Sequence, residues 1–191
     1  MQALYDFIVE PVGERYNNKI KLGDKELILN TKIETFQAVN KLAKVISIPK
    51  NIKTNIQVDD IIVIHHNVFR RFYDIKGKEK NSRSYFKDNK YFVSLDQIYL
   101  YYNGEDWNSV ADRCFIKPGS SHRSGIVIYD NKHLNTLGIY KGKLISFKEK
   151  RQFEFIINNE LLYCMKSKDV LIDHGYEENK KENNRSRTES S

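Results

Sequence analysis

Two cysteines, three prolines, nine glycines and one tryptophan in 191 residues set the first limits on this chain. Cys114 and Cys164 lie too far apart for a CxxC metal or redox motif, and two thiols make no disulfide scaffold. They suit a reducing cytoplasm as small core residues rather than nucleophiles. No run approaches ~18 apolar residues, so no membrane-spanning segment is expected. The start, Met1 to Asp6, lacks a cationic stretch followed by an apolar one, so no secretory signal is expected. There is no GxGxxG, and Gly77-Lys78 lacks the upstream glycine and following Ser/Thr of a phosphate-binding loop. The histidines His65, His66, His122, His133 and His174 have no H-x-x-x-H spacing. In a strand, adjacent His65 and His66 would point to opposite faces. Asp106 and Asp112 read as structural carboxylates. The expectation is a non-enzyme with no metal and no cofactor.

Charge and β-type patterning are what the chain does have. Its net charge is +7, from 32 basic and 25 acidic residues, which invites a nucleic-acid reading. The excess is local. Arg70, Arg71, Lys76, Lys78, Lys80, Arg83, Lys87 and Lys90 face only Asp74, Glu79 and Asp88 within residues 70–90, leaving that segment at +5. Alternating apolar and polar residues predict strands over 4–11, 44–48, 60–65, 68–74, 90–95 and 97–101. A second set follows over 112–117, 125–129, 143–147, 152–157, 161–166 and 170–172. Asn158-Asn159 between apolar runs signals a tight hairpin, because Asn tolerates positive φ. Helix support is limited to residues 33–42. Trp107 reads as a packing residue between the two strand sets. The tail 175–191 is rich in Glu, Asn, Lys, Arg and Ser and is expected to be disordered.

The two sets repeat in the same order. Phe7-Ile8-Val9-Glu10-Pro11 matches Cys114-Phe115-Ile116-Lys117-Pro118, and Val45-Ile46-Ser47-Ile48 matches Ile126-Val127-Ile128-Tyr129. Residues 58–64 match 141–147, and 91–99 match 163–171. The expected fold class is all-β.

Residues 13–40 form a long polar stretch enclosing Leu27-Ile28-Leu29. Left in water, each of these side chains forgoes roughly 1.5–3 kcal/mol of burial. Either a partner's groove covers the tripeptide, or it is a further barrel strand buried at home. The basic segment offers three readings: a solvated hairpin, a surface that contacts protein or lines a cage, or a nucleic-acid site in which aromatics alternate with cations.

The order of these signals resembles the co-chaperonin (GroES) family, the β-barrel caps of chaperonins. Leu4-Tyr5-Asp6-Phe7-Ile8-Val9 is similar to its opening strand, Val58-Asp59-Asp60-Ile61-Ile62-Val63-Ile64 to its turn and strand, and Tyr91 to Tyr99 to its closing strands. The resemblance spans residues 3–174 as two successive units, of the kind seen in divergent phage versions. It implies two tandem GroES-like β-barrels, 1–103 and 104–174, followed by the tail. The first would carry a mobile loop (13–40) and an extended basic hairpin (68–95); the second, with only residues 119–124 at the equivalent place, would lack the loop. The implied function is a co-chaperonin without catalytic activity. Leu27, Ile28 and Leu29 would dock on a GroEL-like chaperonin ring, which itself binds the ATP, and an unfolded client would be enclosed. A ring-shaped homo-oligomer is implied, closed by strand contacts from residues 4–9 and 98–101. The setting would be the cytoplasm, a host's if the gene is a phage's. A non-enzymatic single-stranded nucleic-acid-binding barrel is the alternative, with nucleic acid and membrane otherwise not expected as partners.

Overall fold

The computed structural model describes residues 3–16, 38–121 and 123–176, together with the backbone of 19–22 and 25–28. The chain divides into two compact units, Met1–Trp107 and Asn108–Ser191, four residues beyond the boundary expected from the repeat. Both are built from antiparallel sheets.

The main strands of the first unit are β1 (Phe7–Pro11), β4 (Leu42–Ser47), β5 (Ile61–Ile64), β8 (Tyr91–Val93) and β9 (Ile98–Tyr102). They hydrogen-bond in the order β9-β5-β4-β1-β8, and the short strand β10 (Trp107–Ser109) lies beside β9 and carries the chain into the second unit. Two further hairpins stand apart from this sheet: β2 (Lys19–Leu22) with β3 (Lys25–Ile28), and β6 (Arg71–Tyr73) with β7 (Glu79–Asn81). Ala43, Val45 and Ser47 in β4 and Tyr91 and Val93 in β8 are buried at alternate positions, as a strand with one face on a core requires, whereas Phe7–Val9 in β1, Ile62–Ile64 in β5 and Ile98–Leu100 in β9 are buried consecutively.

The second unit contains β11 (Arg113–Pro118), β12 (Ser124–Tyr129), β13 (Lys143–Phe147), β14 (Phe153–Ile157), β15 (Glu160–Lys166) and β16 (Val170–Tyr176), ordered β14-β15-β11-β12-β13-β16. Cys114, Ile116, Val127, Leu134, Ile145, Phe147 and Met165 form its core. Without β14, this is the strand order of the first unit, with β11, β12, β13, β15 and β16 in place of β1, β4, β5, β8 and β9.

The correspondence extends to single residue pairs. Ile8 pairs with Ser47 and Val9 with Val45, with a register shift between them; Phe115 pairs with Tyr129 and Ile116 with Val127, with the same shift. A second irregularity falls at Val63/Ile64 against β9 and at Ser146/Phe147 against β16. Two 3₁₀ turns, Leu95–Gln97 and Ser167–Asp169, occupy equivalent places. Asp59 and Gly142 both hold positive φ, 73° and 90°, where each amide returns to the second strand: Asp59 N–H to Val45 O and Gly142 N–H to Val127 O. These pairings correct the sequence match by one residue. Val45 corresponds to Val127, not Ile126, because both pair with the residue just after a bulge, a feature that side-chain type does not encode.

Other expectations also shift. The run 68–74 is not one strand: His66–Val68 is a 3₁₀ turn and pairing begins at Arg71. The last strand continues to Tyr176, which pairs with Lys143, so Gly175 and Tyr176 belong to the sheet rather than to a tail; residues 177–191 lie outside the described residues. Of the helix expected over 33–42, residues 33–37 lie outside the described residues. The remainder is a turn, a bridge at Val39 and the start of β4. One short helix, α1 (Lys132–Thr136), has no counterpart among the expected elements. It has a single buried residue, Leu134, so no helical period could reveal it; the Asn131 side chain caps its start by accepting from the Leu134 amide at 2.9 Å. The Asn158-Asn159 hairpin forms as expected, with φ of 51° and 62°.

Candidate functional site

The two units differ most where chain is inserted into the first: between β1 and β4, where the second unit has only residues 119–123, and between β5 and β8. The two insertions meet.

The second insertion is built around β6 and β7, which pair Arg71 with Asn81, Phe72 with Lys80 and Tyr73 with Glu79. Asp74 closes the turn. Its Oδ1 accepts from the amides of Lys76 and Lys78, each at 2.9 Å, and Gly77 takes the left-handed conformation, with φ 72°. Because successive side chains leave opposite faces of a strand, the basic segment divides into two surfaces. Arg71, Tyr73, Glu79 and Asn81 share one; Arg70, Phe72, Lys80 and Ser82 share the other.

The Arg71 face holds the root of the first insertion. The Arg71 amide donates to the Tyr16 hydroxyl at 2.7 Å, and its guanidinium lies 4.8 Å from the Tyr16 ring centre. Arg71 also pairs with Glu79 at 2.8 Å. Arg15 donates to Asn81 Oδ1 at 2.8 Å and to the Phe69 carbonyl at 2.7 Å, with its guanidinium over the ring of Tyr91. Burial draws the Arg15 pKa below its ordinary value and pushes that of Tyr91 up. On the far side of the root, Asn40 donates to the carbonyls of Val12 and Glu14 at 2.8 and 2.9 Å and accepts from the Leu42 amide at 2.9 Å. Tyr16 and Val39 form an antiparallel bridge. Both ends of the insertion are thus clamped together and fixed to the basic hairpin.

Inside the clamp, Leu27 pairs with Ile20 and Ile28 with Lys19 in the β2–β3 hairpin. Leu29 lies outside the described residues. That hairpin belongs to neither six-stranded sheet, so Leu27 and Ile28 do not add a strand to the main sheet of their unit.

The Arg70 face opens onto a cleft of about 380 Å³ lined by Asn67, Arg70, Phe72, Ser82 and Arg83. Phe72 is 41% exposed. The root residues Arg15, Tyr16 and Asn40 carry no periodic signal that would mark them in the sequence. The division of the hairpin into two faces is legible in its alternation.

The remaining candidates resolve structurally. His65 and His66 do not point apart: β5 ends at Ile64, the chain enters a 3₁₀ turn, and the two rings stack with centres 4.3 Å apart. Burial, helped by the charges of His65, Lys41 and Arg70, lowers the His66 pKa to about 4. Cys114 and Cys164 are buried, and burial raises both thiols, that of Cys164 to about 12. They occupy successive cross-strand pairs, Cys114 with Met165 and Phe115 with Cys164, and so face opposite sides of the sheet. Asp112 forms an ion pair with Lys166 at 3.8 Å, and Trp107 packs on Tyr102. Among the described residues no group of three or more His, Cys, Asp or Glu is placed to hold a metal ion, and no helix is long and apolar enough to cross a membrane.

The expected ring-closing edges are occupied within the chain. β1 lies between β4 and β8, and β9 between β5 and β10. The outer side of β8 is covered in turn, by the Phe92 amide donating to the Ser84 carbonyl at 2.7 Å. Compared with protein-family models and with curated proteins, the chain matches none.

Proposed function

We propose that this chain is a co-chaperonin: a non-catalytic lid in which each unit closes its sheet into a small barrel and Leu27, Ile28 and Leu29 dock on a chaperonin ring that supplies the ATPase. The observation that carries this reading is an asymmetry between the repeats. The units share one strand order and two equivalent register shifts, yet only the first has a long insertion between its first two strands, with Leu27 and Ile28 in a hairpin outside the main sheet and a hydrogen-bonded clamp at its root. Such a root fixes where a docking segment leaves the body. One segment per chain binds weakly; several on one ring bind tightly through effective concentration and still let go when the partner changes state. The second unit supplies contacts between copies, since β14 and β16 each have one sheet neighbour among the described residues and would otherwise be open to uncontrolled pairing.

The test is co-sedimentation with a purified GroEL-like chaperonin in the presence of nucleotide. Leu27→Asp and Ile28→Asp are expected to abolish association while circular dichroism and melting remain those of the parent chain. Undiminished association of both variants would refute the docking assignment.

A further inference from the structure

The cleft on the Arg70 face is a site that chaperonin docking does not use. Its cations lack the partners that hold three neighbouring ones. Arg71 is paired with Glu79, Lys80 lies 3.8 Å from Asp74, and Arg15 is held by Asn81 and the Phe69 carbonyl. Arg70 and Arg83 line one cleft and have no carboxylate partner among the described residues. The Arg70 Nε is buried without a hydrogen-bond partner, as are those of Arg15 and Arg71, but Arg70 alone of the three has no side-chain carboxylate or amide partner among the described residues. Two guanidiniums without a counter-ion among the described residues, in a shared concavity, raise its positive potential and favour an anion that accepts from both.

Phe72 narrows the choice of anion. It stands on the same strand face as Arg70, lines the same cleft and exposes 41% of its surface. A carboxylate peptide would satisfy the guanidiniums and leave the ring in water, whereas a nucleotide carries a phosphate and a flat π-face at a fixed separation. The cleft, at about 380 Å³, lies at the small end of the roughly 300–1,000 Å³ that ligand sites occupy. In a duplex the bases stack on each other and cannot reach such a ring. Lys76, Lys78 and Lys87 are exposed on the same insertion and add to its positive charge. We infer that the Arg70–Phe72–Arg83 cleft binds single-stranded nucleic acid, with phosphate on the two arginines and a base stacked on Phe72.

The test is fluorescence anisotropy of a labelled oligothymidylate titrated with the full chain over a series of salt concentrations. The wild-type chain should bind at low salt and weaken linearly in log–log coordinates. R70A/R83A should bind at least about tenfold more weakly and with a shallower salt slope, by about 0.7 for each phosphate of the single strand that is no longer neutralised. F72A should weaken binding by about tenfold with the slope unchanged, because stacking releases no counterions. All three side chains are exposed or half-buried, and F72L serves as a variant that keeps apolar volume but not the π-face; it should behave as F72A does. Three results would each overturn the inference: no binding at low salt, binding indifferent to R70A/R83A, or an F72L affinity equal to wild type. Polyglutamate displacing the oligonucleotide as effectively as unlabelled oligothymidylate would assign the cleft to an acidic polypeptide instead. Chaperonin association of L27D is read separately, so failure of either reading leaves the other standing.

Discussion

Asn131 shows how much one buried polar side chain decides in this protein. It is 6% exposed. Its amide donates to the Arg113 carbonyl at 2.6 Å and to Ser167 Oγ at 2.8 Å, while its oxygen caps α1. Ser167 returns a bond from its hydroxyl to the Asp112 carbonyl at 3.0 Å. The start of β11, the helix and the 3₁₀ turn are therefore tied at one point. Asn131→Ala removes the cap and leaves buried groups without partners, so it should cost about 2–3 kcal/mol in urea denaturation. His66 gives a pH signature. Its pKa falls from 6.5 to about 4 on folding, so between those values the unfolded chain binds a proton that the folded chain refuses. Stability should decline as pH falls from about 6.5 towards 4 and then level off for this group. His66→Gln should flatten that part of the profile of urea midpoint against pH. The residue type at position 131 is visible in the sequence, but the partners of its amide come from segments 18 to 36 residues away.

Elements are legible in the sequence where a strand has one more exposed face and one buried face, as β4 and β14 do, because the pattern and the environment then share a period. They escape it where backbone geometry rather than side-chain burial sets the structure. The 3₁₀ turn after β5, the cap-driven helix α1 and the bulges in β1 and β11 carry no periodic signal. The candidate site divides in the same way: the basic hairpin is legible as a cluster, whereas its separation into a clamping face and a cleft face requires the register. The clamp makes a prediction of its own. Tyr16→Phe deprives the Arg71 amide of its acceptor while keeping the ring under the guanidinium. Amide exchange of Arg71 and Asn40 should accelerate by about tenfold, corresponding to a loss near 1.4 kcal/mol, while exchange in the second unit stays unchanged.

For the whole molecule, the repeat places its differences where function is proposed. Both units keep the same order and register through five strands; insertions modify only the first, and β14 extends only the second. Ile156, 77% exposed, stands directly across from Leu161, 45% exposed, at the turn end of the β14–β15 hairpin. If copies meet there in the proposed ring, Ile156→Lys should reduce the native mass to that of the single chain, with melting of the isolated chain unchanged; a native mass equal to that of wild type would place the contacts elsewhere.

That the chain is predominantly β, that it repeats, and that most of its net positive charge lies in one segment all follow from the order of its amino acids. Each of these depends on composition or on a two-residue period, which neighbouring residues carry locally. The register of the repeat, the pairing of Arg15 and Tyr16 with a hairpin more than fifty residues away, and which arginines of that hairpin meet a carboxylate among the described residues emerge only on folding. Those depend on bulges, caps and long-range hydrogen bonds, whose geometry is fixed only when distant strands are brought side by side.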